Sequence, residues 1–320
     1  MYHYYLSRSD RYNEFMENEI YQSQTGSQIN LYSLLPLEEP RAVIHITHGM
    51  SEHAIRYSRF ADELSKSGFA VFAHDIRGHG YTKADDAPQG VFAKMNGFNL
   101  VLEDQNEIIN LIKKRLPNKS IICFGHSLGS IINLNYAIRY PEQASALVCW
   151  NSGIETGLLP RASRIILALE GIFRNEKKPS LIAWKLSFEA WNSEFKPSRT
   201  KYDWLSRDEK EVDLYVNDSL CGFEVSISMW RNILDGVFYA GNKKNLSNLP
   251  KKLPVHIQGG AKDPCTNFGQ DMEKLNLKLL NIGLTDVTCK ILENTRHESL
   301  NEINRDQTTA KFISWLKERF

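Results

Sequence analysis

Short apolar runs alternate with longer stretches of helical periodicity over most of the chain. The apolar runs predict buried strands at 42–47, 69–74, 121–124, 144–150, 254–258 and 287–292, with a possible further strand at 28–35. Between them, apolar residues three and four positions apart predict helices at 57–67, 99–116, 130–140, 269–280 and 306–320. Strands that alternate with helices are joined by crossovers, so the pattern predicts an α/β fold, a mostly parallel central sheet with helices on both faces.

The alternation stops between about residues 151 and 240, where the pattern is helical and predicts no core strand. Four aromatic residues in this stretch step by four, three and four positions, which places them on one face of a predicted helix: Trp184, Phe188, Trp191 and Phe195. We expect residues 151–240 to form a helical cap inserted into a core that consists of residues 1–150 and 241–320.

A strand, a sharp turn and a helix follow one another between residues 121 and 140. The turn is Gly125-His-Ser-Leu-Gly129, and its glycines suit a strand that reverses directly into a helix, because side chains there would meet backbone atoms. The residue at the apex is held in a strained conformation with its side chain above the sheet, an arrangement known as the nucleophile elbow. The segment therefore predicts Ser127 as a nucleophile.

A serine hydroxyl needs a base at neutral pH, and the base needs an acid that orients it. Both follow Ser127 in the order that this architecture uses, the acid first. Asp263 lies in the loop after the predicted strand 254–258, and His297 lies in the loop after 287–292. Because the carboxyl ends of parallel strands share one edge of the sheet, we expect a catalytic triad of these three residues there.

Two alternatives to this assignment stay open. His126 is adjacent to the nucleophile, but its side chain is expected to point away from the apex, which makes it a weaker candidate for the base. Glu293 begins the loop that carries His297 and is the alternative acid. Neither changes the prediction of an activated serine.

Acyl transfer also needs hydrogen-bond donors for the oxyanion that develops on the substrate. The residue after an elbow nucleophile supplies one through its backbone amide, which here belongs to Leu128. A second donor comes from the loop after an early strand. The segment His48-Gly-Met50 ends the predicted strand 42–47, so the Met50 amide is the predicted second donor.

The composition narrows the classes of function. The net charge is +1, from 39 basic and 38 acidic residues, so electrostatics favour neither nucleic acid nor an anionic membrane. The N-terminus lacks the basic and apolar regions of a secretory signal, and no apolar run reaches the roughly 20 residues of a membrane span. The five cysteines are scattered, which suits reduced thiols. We expect a soluble, cytoplasmic protein.

The histidines also allow a metal-site interpretation, which their spacing does not favour. His45 and His48 fall on a predicted strand, and His74 and His79 flank a turn. Neither pair has the one-face helical spacing of a zinc site, and no cysteine pair joins them. We therefore predict neither a metal nor a cofactor.

Five motifs resemble the monoacylglycerol lipase and lysophospholipase branch of the α/β-hydrolases, often described as serine aminopeptidase-like: His48–Tyr57, Phe72–Gly80, Gly125–Gly129, Asp263-Pro and Arg296–Glu302. The resemblance covers roughly residues 25–318 and, within the predicted cap, is limited to Trp204–Asp208. It implies the α/β-hydrolase fold, the triad and the two backbone donors named above. It further implies a polar network beside the nucleophile that consists of Glu52, His53, Arg56 and Tyr57.

The first hypothesis is a serine hydrolase that cleaves carboxylic esters of single-chain acyl lipids through an acyl-enzyme, a substrate class that the resemblance implies. The aromatic residues of the cap either line a pocket for the acyl chain or pack the cap onto the sheet. An amide-cleaving enzyme would need an acidic pocket for an amino group, and Glu155, Glu170 and Glu189 are scattered. A non-catalytic binding protein on the same fold is the remaining alternative. An exposed apolar edge of the cap would allow transient contact with a membrane surface.

Overall fold

The computed structural model of the chain describes residues 16–320. Its strands are β1 (Glu17–Gln22), β2 (Gln28–Leu34), β3 (Val43–Thr47), β4 (Ala70–His74), β5 (Ile121–His126), β6 (Ala146–Trp150), β7 (Val255–Gly260) and β8 (Val287–Leu292). They form one sheet in the order β1-β2-β4-β3-β5-β6-β7-β8. β2 pairs antiparallel with β1 and with β4, and the remaining pairs are parallel. The predicted mostly parallel sheet is confirmed.

The α-helices of residues 16–320 are α1 (Ser58–Lys66), α2 (Gly97–Arg115), α3 (Leu128–Arg139), α4 (Leu158–Phe173), α5 (Leu181–Trp184), α6 (Ala190–Ser193), α7 (Glu209–Val216), α8 (Ile227–Gly241), α9 (Lys243–Leu246), α10 (Gln270–Asn281) and α11 (Arg305–Lys317). A 3₁₀ segment, Ala54–Tyr57, precedes α1, and a π-helical segment, Lys185–Glu189, joins α5 to α6. None of the helices in this described part of the chain has both the length and the apolar character that crossing a bilayer requires.

β1 is a strand that the apolar pattern does not predict. Its residues are polar or only partly buried because it lies at the edge of the sheet. Its ladder with β2, from Glu17 opposite Ser33 to Gln22 opposite Gln28, holds it in place. An edge strand of this kind buries little apolar surface, so its sequence carries no strong alternation.

Alternate side chains of the inner strands enter two separate apolar clusters. In β5, Ile121 and Cys123 belong to the cluster that includes residues of α2, α3 and α10. Ile122 and Phe124 belong to the cluster that includes residues of α1 and α11. The Phe124 ring, for example, lies 5.1 Å from the Phe60 ring of α1, measured between centroids. The predicted placement of helices on both faces of the sheet is confirmed.

The chain between β6 and β7 folds into helices α4 to α9. Its apolar side chains pack in two separate places. Met229 and Ile233 of α8 belong to the main apolar cluster of the core, where α8 packs against α2 and α3. Trp184, Phe188 and Trp204 belong to a separate aromatic cluster. Part of the segment predicted as a cap therefore contributes to the core, and the bounds 151–240 stay a prediction.

Several histidines are buried and neutral inside this fold. His45 Nε2 and His74 Nδ1 lie 3.0 Å apart, and burial lowers the pKa of His74 to about 4 and that of His45 well below its usual range. His256 in β7 packs against Phe312 and Trp315, and burial lowers its pKa to about 4 as well. In mildly acidic solution these rings therefore take up protons more readily in the unfolded chain than in the folded protein.

We expect the free energy of unfolding to fall as the pH drops below 6.5, the ordinary histidine pKa. A histidine whose pKa falls from 6.5 to about 4 on folding contributes stability above pH 6.5, and about 2 kcal/mol of it is lost between about pH 7 and about pH 5. Urea unfolding at the two pH values measures the loss. The His256→Gln variant should lose about 2 kcal/mol less than the unmodified protein; an equal loss in both would contradict the assignment.

Candidate active site

Ser127 lies between β5 and α3 in a strained backbone conformation. Its φ and ψ are 52° and −117°, which is costly for a residue with a side chain. Its amide donates to Trp150 O at 2.8 Å, and its carbonyl accepts from Ser130 N at 3.0 Å. A Cβ at Gly129 would lie 2.0 Å from Thr47 O, so only glycine lets α3 approach β3 this closely.

Asp263 and His297 meet at the carboxyl edge of the sheet. Asp263 follows β7, His297 follows β8, and Asp263 Oδ2 lies 2.9 Å from His297 Nδ1. Both side chains are buried. Because a carboxylate can only accept, Nδ1 carries the imidazole proton and Nε2 is left to accept one. Glu293, the alternative acid, is exposed and is not the partner of this ring.

Asn151 lies in this site, although the sequence pattern does not predict it there. It follows β6, and its Nδ2 donates to Asp263 Oδ2 and to Arg296 O, both at 3.2 Å. Its Oδ1 accepts from Ser299 Oγ at 2.6 Å. One side chain therefore links the acid to both sides of His297. The signal that could have found it is its position directly after a predicted strand, at the edge where such residues collect.

A loop of the predicted cap covers His297, the predicted base. His297 N donates to Trp204 O at 3.4 Å, and Glu298 N donates to Leu205 O at 2.7 Å. The Trp204 ring lies 4.7 Å from the His297 ring, measured between centroids. In the sequence, Trp204 belongs to a motif that resembles the family, but no pattern indicates that it contacts His297. The contact depends on how the cap packs.

The loop after β3 lies against the nucleophile. A Cβ at Gly49 would be 3.4 Å from Ser127 Cβ, and Met50 lines the same cavity as Ser127. No hydrogen bond among residues 16–320 uses the Met50 amide. α3 begins at Leu128, so the Leu128 amide belongs to a first turn, whose N–H groups lack partners within the helix. Two backbone donors are thus available near the nucleophile.

The Glu52 carboxylate holds this loop in place. Its Oε1 accepts from Gly49 N at 2.6 Å and from Tyr57 Oη at 2.8 Å, and lies 3.2 Å from His126 Nδ1. Its Oε2 accepts from Arg56. Burial alone would raise the pKa of Glu52, but Arg56 and His126 hold it well below its usual range. Glu52 is therefore a charged group inside the protein, bonded on every side.

A second buried carboxylate extends the network. Arg56 Nη1 and Nη2 donate to Glu298 Oε1 and Oε2, both at 2.8 Å, and such bidentate pairs are strong. The guanidinium also lies over the Tyr215 ring, 4.8 Å from its centroid. The network that the resemblance implies thus includes Glu52, Arg56 and Tyr57. His53 is bonded instead to the loop after α7, with Nε2 2.8 Å from Asp218 Oδ2.

Ser127 and His297 line one cavity of about 30 Å³, which has room for about one water molecule. Its other lining residues come from the loop after β3, from the elbow, from the loop of the base and from the cap: Gly49, Met50, Glu52, His126, Phe188, Trp191, Trp204, Leu205, Tyr215 and Glu298. The hydrogen bonds formed within residues 16–320 include none between Ser127 Oγ and the His297 ring. Catalytic bonds of this kind commonly tighten only in the Michaelis complex.

The four aromatic side chains of the predicted stripe belong to one cluster: Trp184 and Phe188 are buried in it, and Trp191 and Phe195 pack against it. Phe188 and Trp191 line the cavity. Trp184 stacks on Phe188 at 4.1 Å between centroids, and both line an outer groove of about 460 Å³. The Phe195 ring lies beneath the Arg296 guanidinium, with 4.1 Å between the guanidinium carbon and the ring centroid. The other two side chains of the stripe, Trp184 and Phe195, do not line the cavity.

Two groups of three side chains within residues 16–320 have ligand atoms within 4.8 Å of one another: His53, Asp218 and Cys221, and Asp263, Cys265 and His297. Burial raises the pKa of both thiols well above its ordinary value. The second group contains the predicted acid and base, Asp263 and His297. Hydrogen bonding within the protein accounts for both groups.

One family model, described as serine aminopeptidase, S33 (Hydrolase_4), matches residues 38–304. Two relatives are similar over most of their length. The monoglyceride lipase of Rattus norvegicus is 26% identical over 277 residues, which are 84% of this chain and 83% of the relative. The monoacylglycerol lipase of Mycolicibacterium smegmatis is 24% identical over 287 residues, which are 88% of this chain and 90% of the relative.

Solved structures share the fold. A thermostable carboxyl esterase from Bacillus coagulans, in complex with glycerol, has a TM-score of 0.86 at 22% identity, over 95% of this chain and 99% of the esterase. A soluble variant of the monoglyceride lipase from Saccharomyces cerevisiae, in complex with a substrate analog, has a TM-score of 0.71 at 18% identity, over 95% and 94% of the two chains. At these identities the likeness establishes the α/β-hydrolase fold alone.

We expect the Asp263→Asn variant to lower turnover of a nitrophenyl ester by on the order of 10³- to 10⁴-fold. An amide at this position donates to Nδ1, which moves the imidazole proton to Nε2 and leaves no base for the serine. The matched control is Glu293→Gln, which removes the alternative acid and should keep the activity of the unmodified protein. Loss of activity in the control but not in Asp263→Asn would contradict the assignment.

Proposed function

The chain belongs to the serine aminopeptidase, S33 family, and we propose that it is a serine hydrolase of carboxylic esters whose substrates are single-chain acyl lipids, such as monoacylglycerols or lysophospholipids. The observation that carries the proposal is the 2.9 Å hydrogen bond between His297 and Asp263, beside the cavity that His297 shares with Ser127. An acid, a base and an elbow serine are what cleavage through an acyl-enzyme requires. The relatives named monoglyceride lipase and monoacylglycerol lipase support the substrate class.

In the proposed reaction, Ser127 Oγ attacks the ester carbonyl carbon while His297 Nε2 takes its proton. The Met50 and Leu128 amides donate to the oxyanion, and Asp263 stabilises the imidazolium that forms. His297 then gives the proton to the alcohol oxygen as the C–O bond breaks. A water attacks the acyl-enzyme, loses a proton to His297, and the free acid leaves as Ser127 recovers its hydrogen.

The cap supplies the binding surface in this proposal. A cavity of about 30 Å³ is too small for an acyl chain, and Phe188 separates it from an outer groove of about 460 Å³. We propose that residues 151–240 act as the cap and that movement of the rings of Phe188 and Trp191 opens a path for the chain. The aromatic side chains thereby both pack the cap in the closed form and line the path in the open one.

An ester fits the cavity better than a peptide with a free amino group. The carboxylates that line the cavity, Glu52 and Glu298, are both bonded to Arg56, so neither is free to bind an ammonium group. Glu170 is bonded to Ser180 and Arg174 in the cap. The cavity that residues 16–320 form beside Ser127 therefore lacks the free carboxylate that amide cleavage of this kind would need, despite the description of the family.

The cysteines support a cytoplasmic location, which we propose for the protein. All five are free thiols, and Cys123 and Cys149 are buried inside the sheet. Scattered free thiols are typical of a reducing compartment.

We further propose that the cap touches a membrane surface transiently while lipid substrate enters. One face of α4 carries apolar side chains that are more than half exposed: Leu158, Leu159, Ile165, Leu169, Ile172 and Phe173. Lys177 and Lys178 follow this helix and are exposed. An apolar helix face with basic residues beside it is typical of contact with the headgroup region of a bilayer.

We expect a fluorophosphonate probe to label the protein at Ser127, and the Ser127→Ala variant to remain unlabelled. Long-chain acyl nitrophenyl esters should be cleaved with a kcat/KM at least about tenfold above that of an aminoacyl anilide. Failure of the unmodified protein to react with the probe would indicate a binding protein. Faster cleavage of the anilide would indicate an amidase instead.

The double variant Leu159→Glu, Ile165→Glu should lower co-sedimentation with phosphatidylcholine vesicles that contain an anionic lipid by roughly tenfold or more. The reason is that two apolar side chains can no longer enter the bilayer. The control is Leu277→Glu, on α10, where the leucine is 57% exposed. Turnover of a soluble short-chain ester should be unchanged in both. Equal binding by the two variants would argue against contact through α4.

A further inference from the structure

His126, the residue before the nucleophile, is buried between the loop of the oxyanion donor and the loop of the base. Its Nδ1 lies 3.2 Å from Glu52 Oε1, and its Nε2 lies 3.1 Å from His297 O. The residue is 5% exposed. Because Glu52 Oε1 also accepts from Gly49 N, hydrogen bonds run from one loop through the His126 ring to the other.

Both partners of this ring can only accept. A charged carboxylate has no proton to donate, and a peptide carbonyl oxygen never has one. A neutral imidazole has a single N–H, so it would satisfy one partner and turn a lone pair toward the other. Hydrogen bonds on both sides of His126 therefore require two N–H groups, which is the imidazolium form.

The charges around His126 favour the same form. Two buried carboxylates, Glu52 and Glu298, share one guanidinium, that of Arg56, so a second cation balances them. Burial alone would lower the pKa of His126, but Glu52 and Glu298 raise it above its ordinary value. The titratable and charged groups that face the ring, directly or across Glu52, are Glu52, Glu298, Arg56, Tyr57 and His297.

We propose that His126 is a positioning residue that works as an imidazolium: it ties the loop of the base to the loop of the oxyanion donor, directly beside the nucleophile. The proposal rests on the hydrolase function proposed above. When His126 loses a proton at alkaline pH, one of its two hydrogen bonds is lost, and the loop that it held is released. Ester turnover should therefore decline as the ring is deprotonated.

The protonation state can be measured without turnover. In the full chain labelled with nitrogen-15 histidine, both ring nitrogens of His126 should show the chemical shifts of an imidazolium at neutral pH. The ring should lose its proton only above the ordinary histidine pKa. One protonated and one unprotonated ring nitrogen at neutral pH would overturn the proposal. This result stands even if the protein proves not to hydrolyse esters, so the two proposals fail separately.

The His126→Asn variant provides the kinetic test. An amide has a donor and an acceptor, so it cannot donate to both partners. We expect kcat to fall roughly 10- to 100-fold, KM to change less than about threefold, and the alkaline decline of kcat to disappear. If the variant does not fold, the nitrogen shifts of the unmodified protein decide the question.

The matched control is His256→Gln, which also removes a buried imidazole but lies in β7, packed against Phe312. It should keep the kcat and the pH profile of the unmodified enzyme. A His126→Asn enzyme that keeps the kcat and the pH profile of the unmodified enzyme would overturn the proposal. A side chain that only fills space can be replaced without changing the decline of kcat at alkaline pH.

Discussion

The hydrogen bond between Asp263 and His297 is the interaction on which the predicted site depends, since it holds the imidazole proton on Nδ1 and leaves Nε2 to accept one. It joins loops that follow two adjacent strands, whose parallel register from Val255 opposite Val287 to Gly260 opposite Leu292 sets the separation of the loops. Asn151, at the end of a third strand, fixes the acid from the other side. The sheet therefore sets the relative positions of Asp263, His297 and Asn151, which follow its strands.

Much of this arrangement follows from local sequence patterns. Apolar runs indicate the inner strands, because both faces of a parallel sheet are buried, and the glycines around Ser127 indicate the reversal of the chain. Once the strands are located, Asp263 and His297 stand out as polar residues where two of them end. The fold class and the family are confirmed, as is the predicted relationship to the monoacylglycerol lipases. The catalytic roles of the three residues stay predictions.

The rest depends on contacts between distant parts of the chain, which no local pattern contains. Glu298 meets Arg56 across 242 positions, and Trp204 reaches the base only because the cap folds over it. The spacing of the aromatic stripe predicts one regular helix, whereas the segment contains a π-helical turn and ends before Phe195. Its four rings nevertheless belong to one cluster. His53 likewise bonds to a cap residue, Asp218, instead of joining its sequence neighbours.

The size of the closed cavity, about 30 Å³, has a kinetic consequence. In the proposed opening of the cap, a ligand binds only to the fraction of molecules in which the rings of Phe188 and Trp191 have moved, so its apparent affinity is the intrinsic affinity scaled by that fraction. The cost of separating Phe188 from Trp184 and Trp191 is common to every substrate. Under this proposal it lowers kcat/KM for all of them by the same factor, and selectivity among acyl chains would arise from the surface exposed after the rings have moved.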